Sequence, residues 1–456
     1  MDITITFSGT QPKYIDIYEQ LKHMIIDKTL NSDEKLPSKR SLALHLNVSI
    51  HTVQEAYDQL TSEGYLYSME RSGYYVSPYD FEWEKQPVQN GPKKKVNDTP
   101  KMKYNFKNGQ VDEQAFPLKD WLKVYKKQFI SDIVPNGEWQ GEMELREQIA
   151  LYMKKSKGFS CNVEQIYVYS GTQHQLQDLC RFFGKVKVAI EEPGFRRATS
   201  IFHQNQLAIQ HVPTDDKGAT IPLAPCQLYY ITPAHQFPLG GVMPIDRRID
   251  LLKWAEETDA YLIEDDYDSE FRYKGKPIPP LAQIDHLQRV IYFGTFSKTL
   301  MPSIRISYMI LPNALVGKFN EFYRDQKTTV SKIDQLVIAD FMRSGYYAKH
   351  IAKMRTLYRK KRQRLIEGIQ TYLGSKYEMI GDEAGLHIIL KLPSGLHEEQ
   401  AIQLAREVGI AIDPVSSSYQ LNSVKNYVMV GYGAIPEEFI EEALSILSSQ
   451  WNKHQL

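Results

Sequence analysis

Apolar side chains recur at helical spacing between Tyr14 and Leu30, where Ile15, Ile17, Tyr18, Leu21, Met24 and Ile25 form one stripe. Lys35-Leu36-Pro37-Ser38 breaks the pattern, and Ser38 is a suitable N-cap for a second helix holding Leu42, Leu44 and Leu46. Asn47-Val48-Ser49 then reads as a short turn. Ser49 caps a third helix with Val53, Tyr57 and Leu60 on its buried face, and Gly64 ends it. Tyr65-Leu66-Tyr67 and Tyr74-Tyr75-Val76, joined by the polar Glu70-Arg71-Ser72-Gly73, predict a two-stranded wing. Three short helices and a hairpin make a winged helix-turn-helix domain over 10–79, its third helix offered to a DNA major groove. Before it, Met1–Thr6 alternates like a strand.

Periodicity lapses over 80–103, where Pro87, Asn90-Gly91-Pro92, Lys93-Lys94-Lys95 and Pro100 predict a flexible connector. From Tyr104 onward, short apolar runs alternate with amphipathic stretches. The strand candidates are Ile166–Tyr169, Val186–Ile190, Leu228–Ile231, Ala260–Ile263 and Val290–Phe293. Residues 104–456 are therefore expected to form an α/β domain with crossover helices and a ligand site at the carboxyl ends of its strands.

Composition adds little to this picture except by exclusion. The 456 residues are 42% hydrophobic and 24% charged, without a run of about 18 apolar residues. The N-terminus lacks the basic-then-apolar order of a signal peptide. Cys161, Cys180 and Cys226 are odd in number and widely spaced, which gives no zinc pattern and suits reduced thiols. A cytoplasmic location is expected. The formal net charge is +0, and residues 1–79 carry seven Lys/Arg against ten Asp/Glu. DNA binding must therefore rest on a few placed cations and on a dimer rather than on a broad basic face.

The chemistry gathers behind the strand candidates. Lys298 lies in Gly294-Thr295-Phe296-Ser297-Lys298-Thr299, downstream of Glu264-Asp265-Asp266-Tyr267. A lysine in a hydroxyl-rich turn with a buried aspartate upstream is what pyridoxal phosphate (PLP) requires: an amine for its aldehyde and a carboxylate for its pyridine nitrogen. Ser170-Gly171-Thr172-Gln173-His174 opens a helix and offers backbone amides to a phosphate. Phe195 can stack on a planar ring, Tyr267 can donate to a ring hydroxyl, and Thr295, Ser297 and Arg305 suit a phosphate. Thr232-Pro233-Ala234-His235-Gln236-Phe237-Pro238 makes a rigid polar loop.

Two resemblances follow. Leu36-Pro37-Ser38-Lys39-Arg40, Val48-Ser49, Thr52-Val53, Ala56-Tyr57, Glu63-Gly64-Tyr65 and Arg71-Ser72-Gly73 resemble the GntR family of bacterial transcription regulators. The strand-end set resembles fold-type I, aspartate aminotransferase-like enzymes. Within it, Thr-Pro-x-His-Gln-Phe-Pro and Glu-Asp-Asp-Tyr-Asp-Ser-Glu-Phe resemble the MocR subgroup of GntR regulators, the GabR- and PdxR-like proteins.

The resemblance implies a PLP-dependent regulator rather than an enzyme: a head-to-tail homodimer on double-stranded promoter DNA, sensing PLP or an amine or amino-acid effector. It makes Lys298 the Schiff-base lysine, Asp265 the pyridine partner, Tyr267 the partner of the ring hydroxyl and Phe195 the stacking ring. Gly171, Thr172, Gln173, Thr295, Ser297 and Arg305 complete the cofactor set. Arg197 and His235 are assigned to the effector. Ser38, Arg40, Ser49, His51, Thr52, Gln54, Arg71 and Gly73 are assigned to DNA.

Two departures stand out. Ile50 and Gln54 occupy recognition-helix positions that are usually basic, which leaves His51 and Gln54 as base readers. Aminotransferases also hold a substrate α-carboxylate with a C-terminal arginine, expected near Pro414–Tyr419 or Tyr427–Val430, yet no arginine follows Arg406. A working aminotransferase with an accessory DNA-binding domain is the competing expectation, and this gap weakens it.

Overall fold

The computed structural model describes residues 3–79, 102–128, 134–275, 278–421 and 425–453. The chain divides into two units, Met1–Thr99 and Pro100–Leu456. The expected connector, apart from its last two residues, lies outside the described residues.

The first unit holds helices α1 (Lys13–Ile26), α2 (Lys39–Leu46) and α3 (Ile50–Ser62), then strands β1 (Leu66–Met69) and β2 (Gly73–Val76). Both expected caps form: Ser38 Oγ accepts from Ser41 N, and Ser49 Oγ from Thr52 N, each at 3.1 Å. Asn47 takes the left-handed conformation (φ 50°) that ends α2 and turns the chain into α3. Ile17, Leu21, Val53, Ala56, Tyr57 and Leu60 are fully buried between the helices. Each large apolar side chain among them contributes about 1.5–3 kcal/mol. Leu44 does not join them and is 86% exposed. The N-terminal alternation also departs from expectation: residues 3–8 form no strand, although Ile3 and Ile5 are buried in this core. An antiparallel register of Tyr67 with Tyr75 and Met69 with Gly73 makes the wing.

In the second unit, β3 (Tyr104–Asn105) pairs with β14 (Ile410–Ala411). The main sheet comprises β4 (Ile166–Tyr169), β5 (Lys187–Glu192), β6 (Ala208–Asp215), β7 (Gly218–Ala219), β8 (Leu228–Ile231), β9 (Tyr261–Asp266), β10 (Val290–Thr295) and β11 (Ser307–Ile310). Their order is β4-β11-β10-β9-β8-β5-β6-β7. Pairing is parallel from β6 through β5, β8 and β9 to β10. Strand β11 runs antiparallel between β10 and β4, which sets β4 parallel to β10. Carboxyl ends of five chemistry-bearing strands therefore share one edge. Fully buried runs such as Leu228–Ile231 are what a sheet covered on both faces requires.

A smaller antiparallel sheet follows, ordered β12 (Glu378–Ile380), β13 (His387–Lys391), β16 (Tyr427–Gly431) and β15 (Asp413–Pro414). No described helix is long and apolar enough to cross a membrane.

Candidate functional site

At the shared edge lies a cavity of about 560 Å³. Every residue assigned to the cofactor lines it: Gly171, Thr172 and Gln173 after β4, Phe195 after β5, Asp265 and Tyr267 at the end of β9, Thr295, Ser297 and Lys298 after β10, and Arg305. Strand topology explains the assembly, because parallel strands deliver the loops that follow them to the same side.

Asp265 is 6% exposed, and burial pushes its carboxyl up to about 7 against the hydrogen bond from the Tyr230 hydroxyl and the attraction of Lys298. Burial likewise lowers the Lys298 amine, and Arg197 adds to this, while Asp268 and Asp265 oppose it. Gly109 lies against that amine: a Cβ there would stand 3.2 Å from Lys298 Nζ. Helix α6 (Thr172–Phe183) begins beside Arg305, whose Nη2 donates to Ser170 O at 3.2 Å. A side chain at Gly171 (φ +115°) would collide with the Arg305 guanidinium, so glycine is needed there. Ser297 N donates to Thr295 Oγ1 at 3.1 Å and holds the lysine turn. Phe195 lies nearly parallel to Tyr230, with 6.5 Å between ring centroids.

The two effector assignments separate. Arg197 lines the cavity from the first turn of α7 (Arg196–Gln204). His235 does not line it. Its side chain is fully buried behind Tyr267, with Nδ1 2.9 Å from Asp268 Oδ2 and 3.0 Å from the Tyr267 hydroxyl. Its absence from the lining corrects its place among effector contacts.

Sequence reasoning missed Tyr230, the turn Asn108-Gly109-Gln110 and Asp413, all of which line the cavity. Asn-Gly was a visible turn signal, and Tyr230 was visible as a strand residue. Their proximity to Asp265 and Lys298 depends on strand order. The expected carboxylate-binding segments do border the cavity, through Pro414, Ser417, Ser418 and Met429. Met429 faces Asp413 in the β15–β16 register. That wall contains no arginine.

In the first unit, Arg40, Ser49, Ile50, His51, Gln54 and Arg71 are exposed, while Val53, Ala56 and Tyr57 turn the other face of α3 inward. Ser38 serves as the cap of α2. Thr52 is partly engaged: its hydroxyl lies 2.8 Å from Ser49 Oγ. His51 Nδ1 lies 3.5 Å from Glu55 Oε1. Gly73 opens β2 with φ +120°, beside the exposed Arg71.

Residues 13–76 match the family model of bacterial regulatory proteins, gntR family, and residues 101–447 match aminotransferase class I and II. The probable rhizopine catabolism regulatory protein MocR of Rhizobium meliloti is 30% identical, over 96% of this chain and 93% of its own. The chain belongs to the MocR subgroup of the GntR family. The uncharacterized HTH-type transcriptional regulator YdeL of Bacillus subtilis (strain 168) is 40% identical over 99% of this chain and 100% of its own. Among solved structures, a multiple substrate aminotransferase from Thermococcus profundus superposes with a TM-score of 0.71 at 25% identity, covering 78% of this chain and 93% of that one. MocR-type architecture thus joins a DNA-binding helix-turn-helix to an aminotransferase fold in a single regulator.

Proposed function

We propose that this MocR-type regulator binds promoter DNA through its winged helix and senses PLP, or an amine effector that reacts with it, at Lys298. Asp265 carries the proposal. A carboxyl pushed up to about 7 by burial is stabilised by a cation arriving beside it, and a protonated pyridine nitrogen is such a cation. The other residues fit the same group. Gly171–Gln173 at the start of α6 and the Arg305 guanidinium would hold its phosphate, Phe195 would cover one face of its ring, and Tyr267 would meet its ring hydroxyl. Bound there, PLP supplies an aldehyde that condenses reversibly with a primary amine. Lys298, with its amine lowered by burial, offers a neutral nucleophile at pH values where an exposed lysine is charged.

A change of amine partner at Lys298 alters what ties the lysine turn to the cavity, and this can bias a two-state arrangement of DNA-binding modules. The proposed assembly is a head-to-tail homodimer. The wall formed by Pro414, Ser417, Ser418 and Met429 favours sensing over turnover, since it offers no cation to a substrate α-carboxylate.

Footprinting of the full-length protein on its own upstream DNA, with and without PLP, tests the proposal. Protection at half-sites spaced by whole helical turns, changed by PLP and insensitive to PLP in Lys298→Ala, is expected. Multiple-turnover release of a keto acid from an amino donor, with no effect of PLP on DNA, would establish the enzyme instead. Arg40→Ala should abolish a gel shift at physiological salt; unchanged affinity would remove Arg40 from the DNA contact set.

A further inference from the structure

Behind Tyr267, away from the cavity, is a closed set of ionisable groups that the proposed chemistry does not use. His235 is fully buried, and its Nδ1 lies 2.9 Å from Asp268 Oδ2 and 3.0 Å from the Tyr267 hydroxyl. That hydroxyl also donates to the His235 carbonyl at 2.9 Å. The His387 ring sits 4.9 Å away, centroid to centroid, with its Nε2 2.8 Å from Pro238 O. His235 Nε2, His387 Nδ1 and Asp268 Oδ1 are buried without a hydrogen-bond partner. The space is shaped for the imidazole: a side chain at Gly385 (φ +74°) would collide with it, and one at Gly240 would stand 3.0 Å from Nε2.

Proton placement follows from these contacts. His235 Nδ1 faces a carboxylate oxygen of Asp268 and Nε2 faces no acceptor, which places the ring hydrogen on Nδ1. The Nδ1 hydrogen is shared between Asp268 and the Tyr267 oxygen. The single phenol proton is then left for the His235 carbonyl, which accepts it in this structure, and turns from there when an acceptor enters the cavity. Burial, reinforced by Asp268, Asp265, Glu191 and Asp266, holds the Tyr267 hydroxyl well above the ordinary tyrosine range, so it remains a donor.

We infer that His235, aligned by Asp268, is a positioning residue that fixes the Tyr267 hydroxyl as a hydrogen-bond donor toward the ring hydroxyl of the cofactor. The inference rests on the proposed PLP site. It assigns a role to a histidine that never reaches the cavity.

The test is a pH titration of the visible absorbance of full-length protein loaded with PLP. A hydrogen bond donated to the ring oxygen draws off negative charge that would otherwise hold the titrating proton. Its loss in Tyr267→Phe should therefore move the midpoint up by about one pH unit. His235→Ala should give a comparable rise, and the double variant no more than Tyr267→Phe alone. His235→Asn, whose amide N–H can stand in for Nδ1–H, should restore most of the wild-type midpoint, whereas His235→Gln should not. A wild-type midpoint in His235→Ala alongside a shifted Tyr267→Phe would overturn the inference. Should His235→Ala fail to fold, equal midpoints for the Asn and Gln variants would overturn it as well. If wild-type protein takes up no PLP, it is the cofactor site that falls, a result distinct from an unshifted titration.

Discussion

The two walls of the cavity are built differently. On the strand-end wall, Asp265, Tyr230, Tyr267 and Lys298 are held by burial and by one another, and burial has moved the protonation of each. On the opposite wall, Pro414, Ser417, Ser418 and Met429 are uncharged, and the one ionisable group, Asp413, accepts from Asn108 N at 2.7 Å. Desolvating charged groups is costly unless they are paired. Where that cost has been met, the wall suits a cofactor. Where it has not, the wall suits an apolar or hydroxylated part of a ligand. The contrast is between a wall of paired, buried ionisable groups and a wall without a cation. A carboxylate entering the cavity therefore meets guanidinium groups at Arg197 and Arg305 and not at the C-terminal segments.

The largest effect should come from removing the reactive group on the built wall. With PLP added, wild-type protein is expected to show a visible absorbance band that Lys298→Ala lacks, while the folded content measured by circular dichroism stays the same. A Lys298→Ala protein that keeps the wild-type band would place the amine elsewhere.

Adding charge to the neutral wall should have the next largest effect. Met429→Arg puts a guanidinium opposite Asp413, which limits the cost of burying it. A bidentate hydrogen bond to a carboxylate contributes roughly 1.5–3 kcal/mol, so the variant should respond to α-amino acids at concentrations about tenfold lower or better, read as a change in the PLP absorbance. Equal responses in variant and wild type would show that this wall does not face the effector.

A third test concerns the charge stored on the built wall. Asp265 is pushed from 3.8 to about 7 in the folded, cofactor-free protein. A raised carboxyl contributes stability that is fully present below pH 3.8 and is lost as pH rises through about 7. Asp265→Asn, which still accepts from Tyr230, should therefore melt close to wild type near pH 4. It should melt progressively higher than wild type toward pH 8, in protein freed of PLP. A difference in Tm that is flat with pH would mean that Asp265 is not ionising against burial.

Local pattern made much of this legible. Serine caps, the alternation of the wing and apolar runs at the strand candidates depend on neighbours in sequence, and Ser38, Ser49, Leu228–Ile231 and Val290–Phe293 take the places they predict. Strand ends ran longer than the apolar runs: β9 continues to Asp266 and β10 to Thr295, because polar residues at a sheet's ligand edge still join its ladder. Long-range order was not legible. Nothing local says that antiparallel β11 inserts between β10 and β4, or that Tyr230 reaches across to Asp265. His235 shows the same limit. Its motif marks it as chemically important, but only the packing against Gly385 and Asp268 says on which side of Tyr267 it lies.

The recognition helix repeats the contrast between built and unbuilt positions, and here the expected effect is smallest. Ile50 opens α3, is 47% exposed and stands where the resemblance places a basic residue. An apolar side chain there offers a thymine methyl at most a van der Waals contact, and no charge to a phosphate. Ile50→Arg adds one cation beside the helix N-terminus, on a surface where Ser49 already caps the helix, so folding should be little affected. One new phosphate contact should tighten promoter binding several-fold at low salt and steepen the dependence of log affinity on log salt by about one. Equal slopes for the two proteins in a fluorescence anisotropy titration would mean that Ile50 faces away from the DNA backbone. A tighter complex with an unchanged slope would instead indicate a contact to a base edge, and would move the first turn of α3 from the phosphates into the groove.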